Sequence, residues 1–259
     1  MKLSVVIPAR NEEGSIAETL ELLCGELRKE RIPFEIVVVD DGSTDATAER
    51  VRALRPRMPE LVLVTNEGRH GFGMAVRCGL DEYTGDCVAV FMADASDSPA
   101  DLAACYRKLE QGYDCVFGSR FVAGSKVVDY PVHKLILNRL ANFFIRVLFG
   151  APFNDFTNAF KLYRREVIDG LQPLISPHFN LTVEMPLKAI VRGYSFATLP
   201  ISWTNRKHGV SKLKIKEMGS RYLFIVLYLW LEKALARGDY HRRHVQEQQD
   251  RLAGTISGS

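Results

Sequence analysis

Acidic side chains directly follow two β-branched runs in this chain of 259 residues. Ile36–Val39 leads into Asp40–Asp45, and Val88–Phe91 leads into Met92-Ala93-Asp94. Because β-branched residues favour strands, we expect both groups of carboxylates to lie at strand ends. In open α/β sheets, ligands bind in the crevice outside the carboxyl ends of the strands. The pattern therefore predicts a site where carboxylates bind a nucleotide and a divalent cation.

A purely structural interpretation of the same residues stays open. Ser43 or Thr44 could cap the following helix, whose positive end favours neighbouring acids. Asn11 could likewise cap the helix that follows the first strand. The alternative for the hexapeptide Pro8–Glu13 is that Glu12 and backbone amides contact a base or a ribose.

The elements that must position these residues alternate along the first half of the chain. Apolar β-rich runs alternate with helical patterns, which predicts a mainly parallel sheet flanked by helices, an α/β fold. The predicted strands are 3–7, 34–39, 61–65, 86–92 and 114–118, and the predicted helices are 14–30, 45–55, 71–83 and 99–111. We expect Pro8 to end the first strand.

The pattern changes after residue 118. Helical spacing of apolar residues predicts a helix from His133 to Phe149 and another over 181–192, and residues 195–203 are typical of a strand. The following segment, Arg206–Arg221, is basic, with six Lys or Arg residues against Glu217 alone. We expect residues 1–217 to form one domain.

The ten residues 222–231 are all apolar or aromatic. A bilayer span needs about 20 apolar residues, so this run is too short to cross a membrane. The sequence predicts an amphipathic helix over 218–237 that lies on a membrane surface or packs on the protein body or a second subunit as a homodimer. Residues 238–259 are predicted to be a disordered tail.

The composition excludes several other classes of protein. At 47% hydrophobic and 25% charged residues, the chain can bury a sizeable core, and its net charge of +3 makes no case for a nucleic-acid partner. Five cysteines without CxxC spacing favour reduced thiols over a disulfide framework or a zinc site. The amino terminus opens into a strand rather than a signal peptide, so we expect a cytoplasmic location.

Several spaced motifs resemble, in this order, the inverting glycosyltransferases of family 2, which have a GT-A fold. These motifs are Val6–Glu12, Val39–Asp45 and the acid after the fourth strand. The closer resemblance is to the polyprenyl-phosphate branch, the dolichol-phosphate mannose synthases. It rests on four further motifs and extends to about Arg237: Gly118–Phe121, Asn154–Lys161, Val183–Met185 and Arg206–Leu213.

The resemblance implies a donor pocket and a metal site. The residues that match the family's donor pocket are Pro8, Ala9, Arg10, Glu12 and Asp41. Asp94 matches the second acid of the family's DxD motif, and Ser96 matches a further metal-facing position. Met92 stands where the first acid is expected, and Asp97 could replace that ligand. We therefore expect Mg²⁺ or Mn²⁺ as the cofactor.

The expected chemistry builds up negative charge on the leaving nucleoside diphosphate. A divalent cation or a clamp of Arg and Lys side chains stabilises such charge in the transition state. We expect Asp94 to anchor the cation. Because one acid of the motif is missing, Arg206 and Lys212 are the candidates for sharing this task.

The nature of the acceptor determines whether a general base is needed. A sugar hydroxyl must lose a proton to a carboxylate. Asp155, which matches the acid of a family motif, either supports the acceptor loop or serves as the base for a hydroxyl acceptor. A lipid phosphate arrives already ionised and needs cations instead. The resemblance places Arg120, Lys134, Asn138 and Arg139 near the acceptor phosphate, although an arginine and a serine are common at the positions of Lys134 and Asn138.

The leading hypothesis is an enzyme that transfers a hexose with inversion. The donor is a nucleotide sugar of the GDP-mannose or UDP-glucose type. The acceptor is a polyprenyl phosphate on the cytoplasmic face of the cell membrane, to which the enzyme binds peripherally. The two alternatives are a soluble transferase acting on a hydroxyl, and a nucleotide-sugar-binding protein without catalysis.

Overall fold

A seven-stranded sheet with helices on both faces forms the body of the protein. The computed structural model describes residues 1–205 and 215–242, with only the backbone of residues 215–218. The strands are β1 (Leu3–Ala9), β2 (Phe34–Asp40), β3 (Leu61–Thr65), β4 (Cys87–Val90), β5 (Cys115–Ser119), β6 (Lys126–Val128), β7 (Lys161–Arg164), β8 (Phe196–Pro200) and β9 (Ser202–Thr204). The helices are α1 (Ile16–Lys29), α2 (Thr47–Leu54), α3 (Phe72–Glu82), α4 (Pro99–Leu109), α5 (Val132–Phe149), α6 (Arg165–Leu171), α7 (Leu181–Val191) and α8 (Ile215–Leu235).

The strand order of the large sheet is β3-β2-β1-β4-β7-β5-β8. All neighbouring strands run parallel except β7, which is antiparallel to both β4 and β5. The prediction of a mainly parallel α/β sheet is therefore confirmed. Strands β6 and β9 form a separate parallel pair.

Alternating side chains of the central strands divide the core into two layers. Leu3, Val5 and Ile7 of β1 pack with α1, α2 and α4 on one face of the sheet. Val6 points to the other face, where it packs in the layer built on α3, α6, α7 and α8. Strands buried on both faces read as continuous apolar runs, which is why β2 contains the run Ile-Val-Val-Val.

Local signals define the ends of several helices. Ser98 caps α4 by accepting a hydrogen bond from the Asp101 amide at 3.3 Å, and Pro99 occupies the first turn. Helix α5 ends at Gly150, which adopts the left-handed conformation with φ of 60°.

Four features differ from the sequence-based expectations. β1 continues through Pro8 to Ala9, because the pairing with β4 ends at Val6 and the missing amide of Pro8 costs no ladder hydrogen bond. The strand predicted over 195–203 is divided into β8 and β9. The antiparallel β7 and the short β6 were not predicted. Residues 238–242, predicted to begin a disordered tail, contact the body, where Arg242 forms an ion pair with Asp114.

No helix in the described part of the chain combines the length and the apolar character that crossing a bilayer requires. Helix α8 contains the apolar run 222–231 and contacts α7 and α5. Residues 243–259 of the predicted tail lie outside the described residues.

Candidate active site

A cavity of about 660 Å³ opens at the carboxyl ends of β1, β2 and β4. Its polar end is lined by all five residues predicted to bind the donor, Pro8, Ala9, Arg10, Glu12 and Asp41, and by Asp94. The pairing of Ala9 with Asp40 places the ends of β1 and β2 side by side. The expectation that Asp41 and Asp94 face one cleft therefore agrees with the geometry.

Asp41 is the centre of a hydrogen-bond network that fixes the start of α3. Its Oδ1 accepts from Asn66 Nδ2 at 2.7 Å and lies 3.2 Å from His70 Nδ1. Its Oδ2 accepts from the Gly71 amide at 2.9 Å. The Asp41 side chain is only 6% exposed, so its position is set by these partners.

The loop after β1 is tied to the loop after β2, and this tie replaces the predicted helix caps. Ser43 Oγ accepts from the Asn11 amide at 3.0 Å, and the Thr44 amide donates to Asn11 Oδ1 at 2.8 Å. The residues before α1 and α2 are Ser15 and Ala46, and neither side chain makes a capping hydrogen bond. The interpretation of Ser43, Thr44 or Asn11 as simple caps is therefore wrong.

Asp94, Ser96 and Asp97 form an acidic loop on the cavity wall. Asp94 Oδ1 accepts from the Ser96 amide at 3.2 Å, and Asp97 Oδ2 accepts from the Met92 amide at 3.1 Å. Burial, together with the charge of Asp94, raises the pKa of Asp97 to about 7. Burial and the neighbouring charge thus oppose ionisation of Asp97, and a cation bound beside it would favour the ionised form.

The acidic loop fits a divalent cation that shares its shell with a substrate. In the described residues, no three His, Cys, Asp or Glu side chains cluster as a complete protein-only shell. Mg²⁺ usually binds through one or two carboxylates plus substrate phosphates and water. The two carboxylates of this loop match that requirement, with Ser96 as a further oxygen donor.

Arg120 lines the next part of the cavity and forms an ion pair with Asp155, which is buried behind the wall. Arg120 Nε and Nη2 donate to the two oxygens of Asp155 at 2.9 and 2.7 Å, and the Arg120 amide donates at 2.9 Å. Burial alone would lower the pKa of Arg120, but the charge and hydrogen bonds of Asp155 outweigh it and raise this pKa. The rings of Phe121, Tyr130 and Trp203 surround the guanidinium at 5.3 to 6.0 Å.

Asp155 is not placed to act as the general base that a hydroxyl acceptor requires. Its side chain is fully buried, Arg120 occupies both of its oxygens, and it is not among the residues that line the cavity. A general base must reach the proton that it removes. The geometry gives Asp155 a supporting role, that of holding Arg120.

Lys134 and Asn138 of α5 line the cavity, as predicted for acceptor-binding residues. Arg139, predicted with them, is not among the lining residues. Its guanidinium lies 4.7 Å from the centroid of the Phe121 ring. The reason is helical geometry, because Arg139 is one residue beyond Asn138 and therefore projects from a different side of α5.

The remaining wall of the cavity is apolar and lies between α5 and α8. Its lining side chains include Leu137 and Phe144 of α5, Leu223 and Val226 of α8, and Phe179, which stacks on Phe72 with ring centroids 4.2 Å apart. One cavity therefore joins an acidic polar end to an apolar end.

Two predicted catalytic residues, Arg206 and Lys212, lie outside the described residues. Two residues that flank residues 206–214 in the chain, Asn205 and Gly219, line the cavity. The roles of Arg206 and Lys212 stay predictions.

Comparison with known proteins identifies the family. Residues 4–171 match the family model described as glycosyl transferase family 2, which is more than half of the chain. The chain belongs to glycosyl transferase family 2. It is therefore a glycosyltransferase, and the resemblance noted in the sequence is confirmed.

This family 2 glycosyltransferase is similar to two curated enzymes. It is 34% identical over 215 residues to the polyprenol monophosphomannose synthase of Mycolicibacterium smegmatis, covering 81% of this chain and 80% of that one. It is 30% identical over 219 residues to the dolichol-phosphate mannosyltransferase of Pyrococcus furiosus, covering 83% of this chain and 60% of that one. Both similarities support the polyprenyl-phosphate branch of the family.

Solved structures support the fold of this family 2 glycosyltransferase. The glucosyl-3-phosphoglycerate synthase of Mycobacterium tuberculosis, in complex with uridine diphosphate, superposes with a TM-score of 0.65 at 20% identity. The superposition covers 90% of this chain and 79% of that chain. The predicted GT-A fold is confirmed.

Several residues at the site were not found from the sequence. Asn66 directly follows β3, so its place after a predicted strand could have indicated that it lies at the same sheet edge as Asp41. Three other residues line the cavity from loops or from the short β9, where the sequence shows no periodic pattern of apolar residues: Tyr130, Thr157 and Trp203.

Proposed function

We propose that the protein transfers a hexose with inversion from a nucleotide diphosphate sugar, of the GDP-mannose or UDP-glucose type, to a polyprenyl phosphate. The reaction would take place at the cytoplasmic face of a membrane to which the protein binds peripherally. The observation that carries the proposal is the single cavity with an acidic end and an apolar end. A nucleotide sugar fits the first end, and a prenyl chain fits the second.

The donor end supplies groups suited to a nucleoside diphosphate. Arg10, Glu12 and Asp41 line the part nearest β1 and β2, where ligands of open α/β sheets bind. Asp94, Ser96 and Asp97 would hold Mg²⁺ or Mn²⁺ against the diphosphate. When bound, such a cation neutralises charge that develops on the leaving group.

Structural neighbours support the use of a divalent cation. Structures of the Mycobacterium tuberculosis synthase contain Mn²⁺ with uridine-diphosphate-glucose, or Mg²⁺ with uridine diphosphate. The fold is thus compatible with the binding of a divalent cation together with a nucleotide.

The acceptor end favours an ionised phosphate over a hydroxyl. Arg120 and Lys134 supply positive charge, and Asn138 supplies an amide, all on the cavity wall. A lipid phosphate needs these groups and no base, because it is already ionised near neutral pH. The geometry of Asp155 supports this choice, since its carboxylate is committed to Arg120. The names of the two curated relatives support a polyprenyl phosphate.

The outer surfaces of α5 and α8 support binding to a membrane. The most exposed apolar side chains of α5 are Val132, Leu140, Phe143 and Val147, with 60 to 69% exposure, and Phe224 and Leu235 of α8 are 61 and 71% exposed. This apolar surface adjoins the apolar end of the cavity, so a lipid chain could pass directly from a bilayer into the site. A membrane is therefore the occupant we propose for it.

A donor and acceptor screen tests the proposed function. The full chain is incubated with GDP-mannose or UDP-glucose, Mn²⁺ and a short prenyl phosphate, with glycerol 3-phosphate and a free sugar as matched acceptors. We expect a prenyl-linked sugar phosphate of inverted anomeric configuration. Transfer only to a hydroxyl acceptor, or nucleotide binding without product from any pair, would overturn the proposal.

A further inference from the structure

One face of α5 carries polar residues at a spacing of four. Lys134, Asn138 and Asn142 follow one another at this interval, which places them on the same side of a helix. Lys134 and Asn138 line the cavity, whereas Asn142 is 2% exposed and lies behind them. A buried amide needs hydrogen-bond partners, so its contacts indicate what it holds in place.

Asn142 joins α5 to the loop that contains Asp155. Its Oδ1 accepts from the Phe156 amide at 2.6 Å. Its Nδ2 lies 2.6 Å from Asn138 Oδ1 and 3.2 Å from Thr157 Oγ1. The side chain thus contacts a backbone group of the loop and two side chains that line the cavity.

These contacts set the orientation of the Asn138 amide. Asn138 Oδ1 accepts from Asn142 and from the Thr157 hydroxyl, the latter at 3.1 Å. Asn138 Nδ2 is on the other side of the group, where it donates to Tyr130 Oη at 3.1 Å. Two hydrogen bonds already use Oδ1, and one of the two N–H groups of Nδ2 is bonded to Tyr130. The second N–H group of Nδ2 is therefore the one that Asn138 can offer to a ligand. An ionised phosphate can only accept hydrogen bonds, so this orientation suits it.

We propose that Asn142 is a positioning residue, which together with the Thr157 hydroxyl orients the Asn138 amide so that the acceptor end offers an N–H donor to a lipid phosphate. The inference rests on the proposed function. Asn142 itself touches no ligand and acts through Asn138 and Thr157.

Asn142→Ala and Asn142→Asp together test this role. Alanine removes the Asn142 hydrogen bond that orients the Asn138 amide and leaves only Thr157 bound to Asn138 Oδ1. We therefore expect the KM for the prenyl phosphate to rise several-fold, up to the roughly tenfold that a full hydrogen bond to a charged group is worth. The KM for the nucleotide sugar should stay within about twofold. Aspartate keeps the bond to the Phe156 amide but has no N–H. It makes Asn138 donate to residue 142 and turn its oxygen to the phosphate, so the acceptor KM should rise further than in Asn142→Ala.

Ser4→Ala provides the matched control. Ser4 is fully buried, and its hydroxyl fixes a loop by accepting from the Gly85 amide at 2.9 Å. It belongs to the amino end of β1, opposite the cavity. We expect Ser4→Ala to lower the melting temperature and to leave both KM values unchanged.

The outcomes separate this inference from the proposed function. A merely structural role predicts parallel changes in both KM values, and that result would overturn the inference. An acceptor KM that rises no further in Asn142→Asp than in Asn142→Ala would overturn it as well. If Asn142→Ala fails to fold, the affinities of Asn142→Asp for farnesyl phosphate and for the nucleoside diphosphate decide in the same way. A wild-type protein that transfers nothing to a prenyl phosphate would overturn the proposed function and this inference together.

Discussion

In the Arg120–Asp155 pair, the buried carboxylate orients the guanidinium for ligand binding and takes no part in proton transfer. Removing two charges from water is costly, and only good geometry with several hydrogen bonds compensates for it. Here Asp155 accepts three hydrogen bonds from Arg120 alone, including its backbone amide. The guanidinium is thereby held rigidly on the cavity wall.

Asp155→Asn should mainly destabilise the protein. The substitution leaves Arg120 buried without a counter-charge, which costs about 3–5 kcal/mol of the free energy of unfolding. Urea denaturation measures this loss. In the double variant Arg120→Met/Asp155→Leu, the stability should largely return while transfer to a prenyl phosphate stays weak. An Asp155→Asn protein of wild-type stability with a large loss of kcat would instead indicate a general base.

Asp94→Asn should reduce transfer without unfolding the protein. Asp94 is the acid that faces the proposed cation, and removal of one electrostatic group in a dry site costs about 100-fold or more in rate. Initial rates across a Mn²⁺ titration measure the effect, and more Mn²⁺ should be needed for half-maximal rate. Asp81→Asn, an exposed position on α3, is the control. Full activity of Asp94→Asn at low Mn²⁺ would contradict the assignment.

Among the elements, those with strong periodicity or β-branched runs could be predicted from the sequence. β2, with its Ile-Val-Val-Val run, and α5, with its helical apolar spacing, were found nearly at their observed limits. Elements formed by tertiary contacts could not be predicted. β7 pairs with β4 on one side and β5 on the other, and its own four residues carry no strong signal.

The carboxylate of Glu35 holds together the start of β1, the start of β2 and the residue Thr84 after α3. Burial alone would raise the pKa of Glu35, but hydrogen bonds from Lys2, Ser4 and Thr84 outweigh it and lower this pKa to about 2. The unfolded chain therefore takes up a proton more readily than the folded protein. The stabilisation is complete above about pH 4.5 and is lost as the pH falls through about 2.

Glu35→Gln should destabilise the protein in a pH-dependent manner. Because Lys2 is 40% exposed and water screens part of its interaction with Glu35, the lowered pKa contributes on the order of 1–2 kcal/mol to the free energy of unfolding at pH 7. Denaturant titrations from pH 7 to pH 2 should show the difference from wild type shrinking below pH 4.5. Glu18→Gln on the exposed face of α1 is the control and should show little difference at any pH. A difference that is constant with pH would rule out the ionised carboxylate as its source.

For the molecule as a whole, apolar exposure is concentrated on α5 and α8. Apart from these helices, the large exposed apolar side chains in the described residues are few and scattered, as with Leu22 of α1 at 53%. Single exposed apolar residues are ordinary, but a contiguous patch indicates a binding surface. The sequence indicated this for residues 222–231, while the contribution of α5 required the structure, because it depends on which of its faces is left uncovered.

Phe143→Ser/Phe224→Ser should release the protein from membranes. The two side chains are 65 and 61% exposed, so their loss should cost little folding stability. Flotation with vesicles of phosphatidylglycerol and phosphatidylcholine measures binding, and we expect the bound fraction to fall several-fold. Leu22→Ser is the matched control and should bind as wild type does. Unchanged flotation, with a change from dimer to monomer in sedimentation, would assign the surface to a second copy of the chain.

The order of site residues along the chain explains what could be predicted about the cavity. The donor residues lie at or just after the carboxyl ends of β1, β2 and β4, where strand ends and acidic residues are visible in the sequence. The acceptor side is built from α5, α8, Trp203 and the loop before β7, whose convergence depends on long-range packing. The spacing of four between Asn138 and Asn142 is visible in the sequence, but their contact with Thr157 depends on the same long-range packing.

The reversed direction of β7 has a consequence for how this architecture diversifies. Since β7 runs against its neighbours, the chain after α5 must return to the sheet at the edge where the donor lies. Whatever length or composition residues 120–160 take, they begin and end beside the cavity. New acceptor chemistries can thus accumulate in this one stretch through exchange or insertion, while the strands that recognise the nucleotide sugar retain their packing.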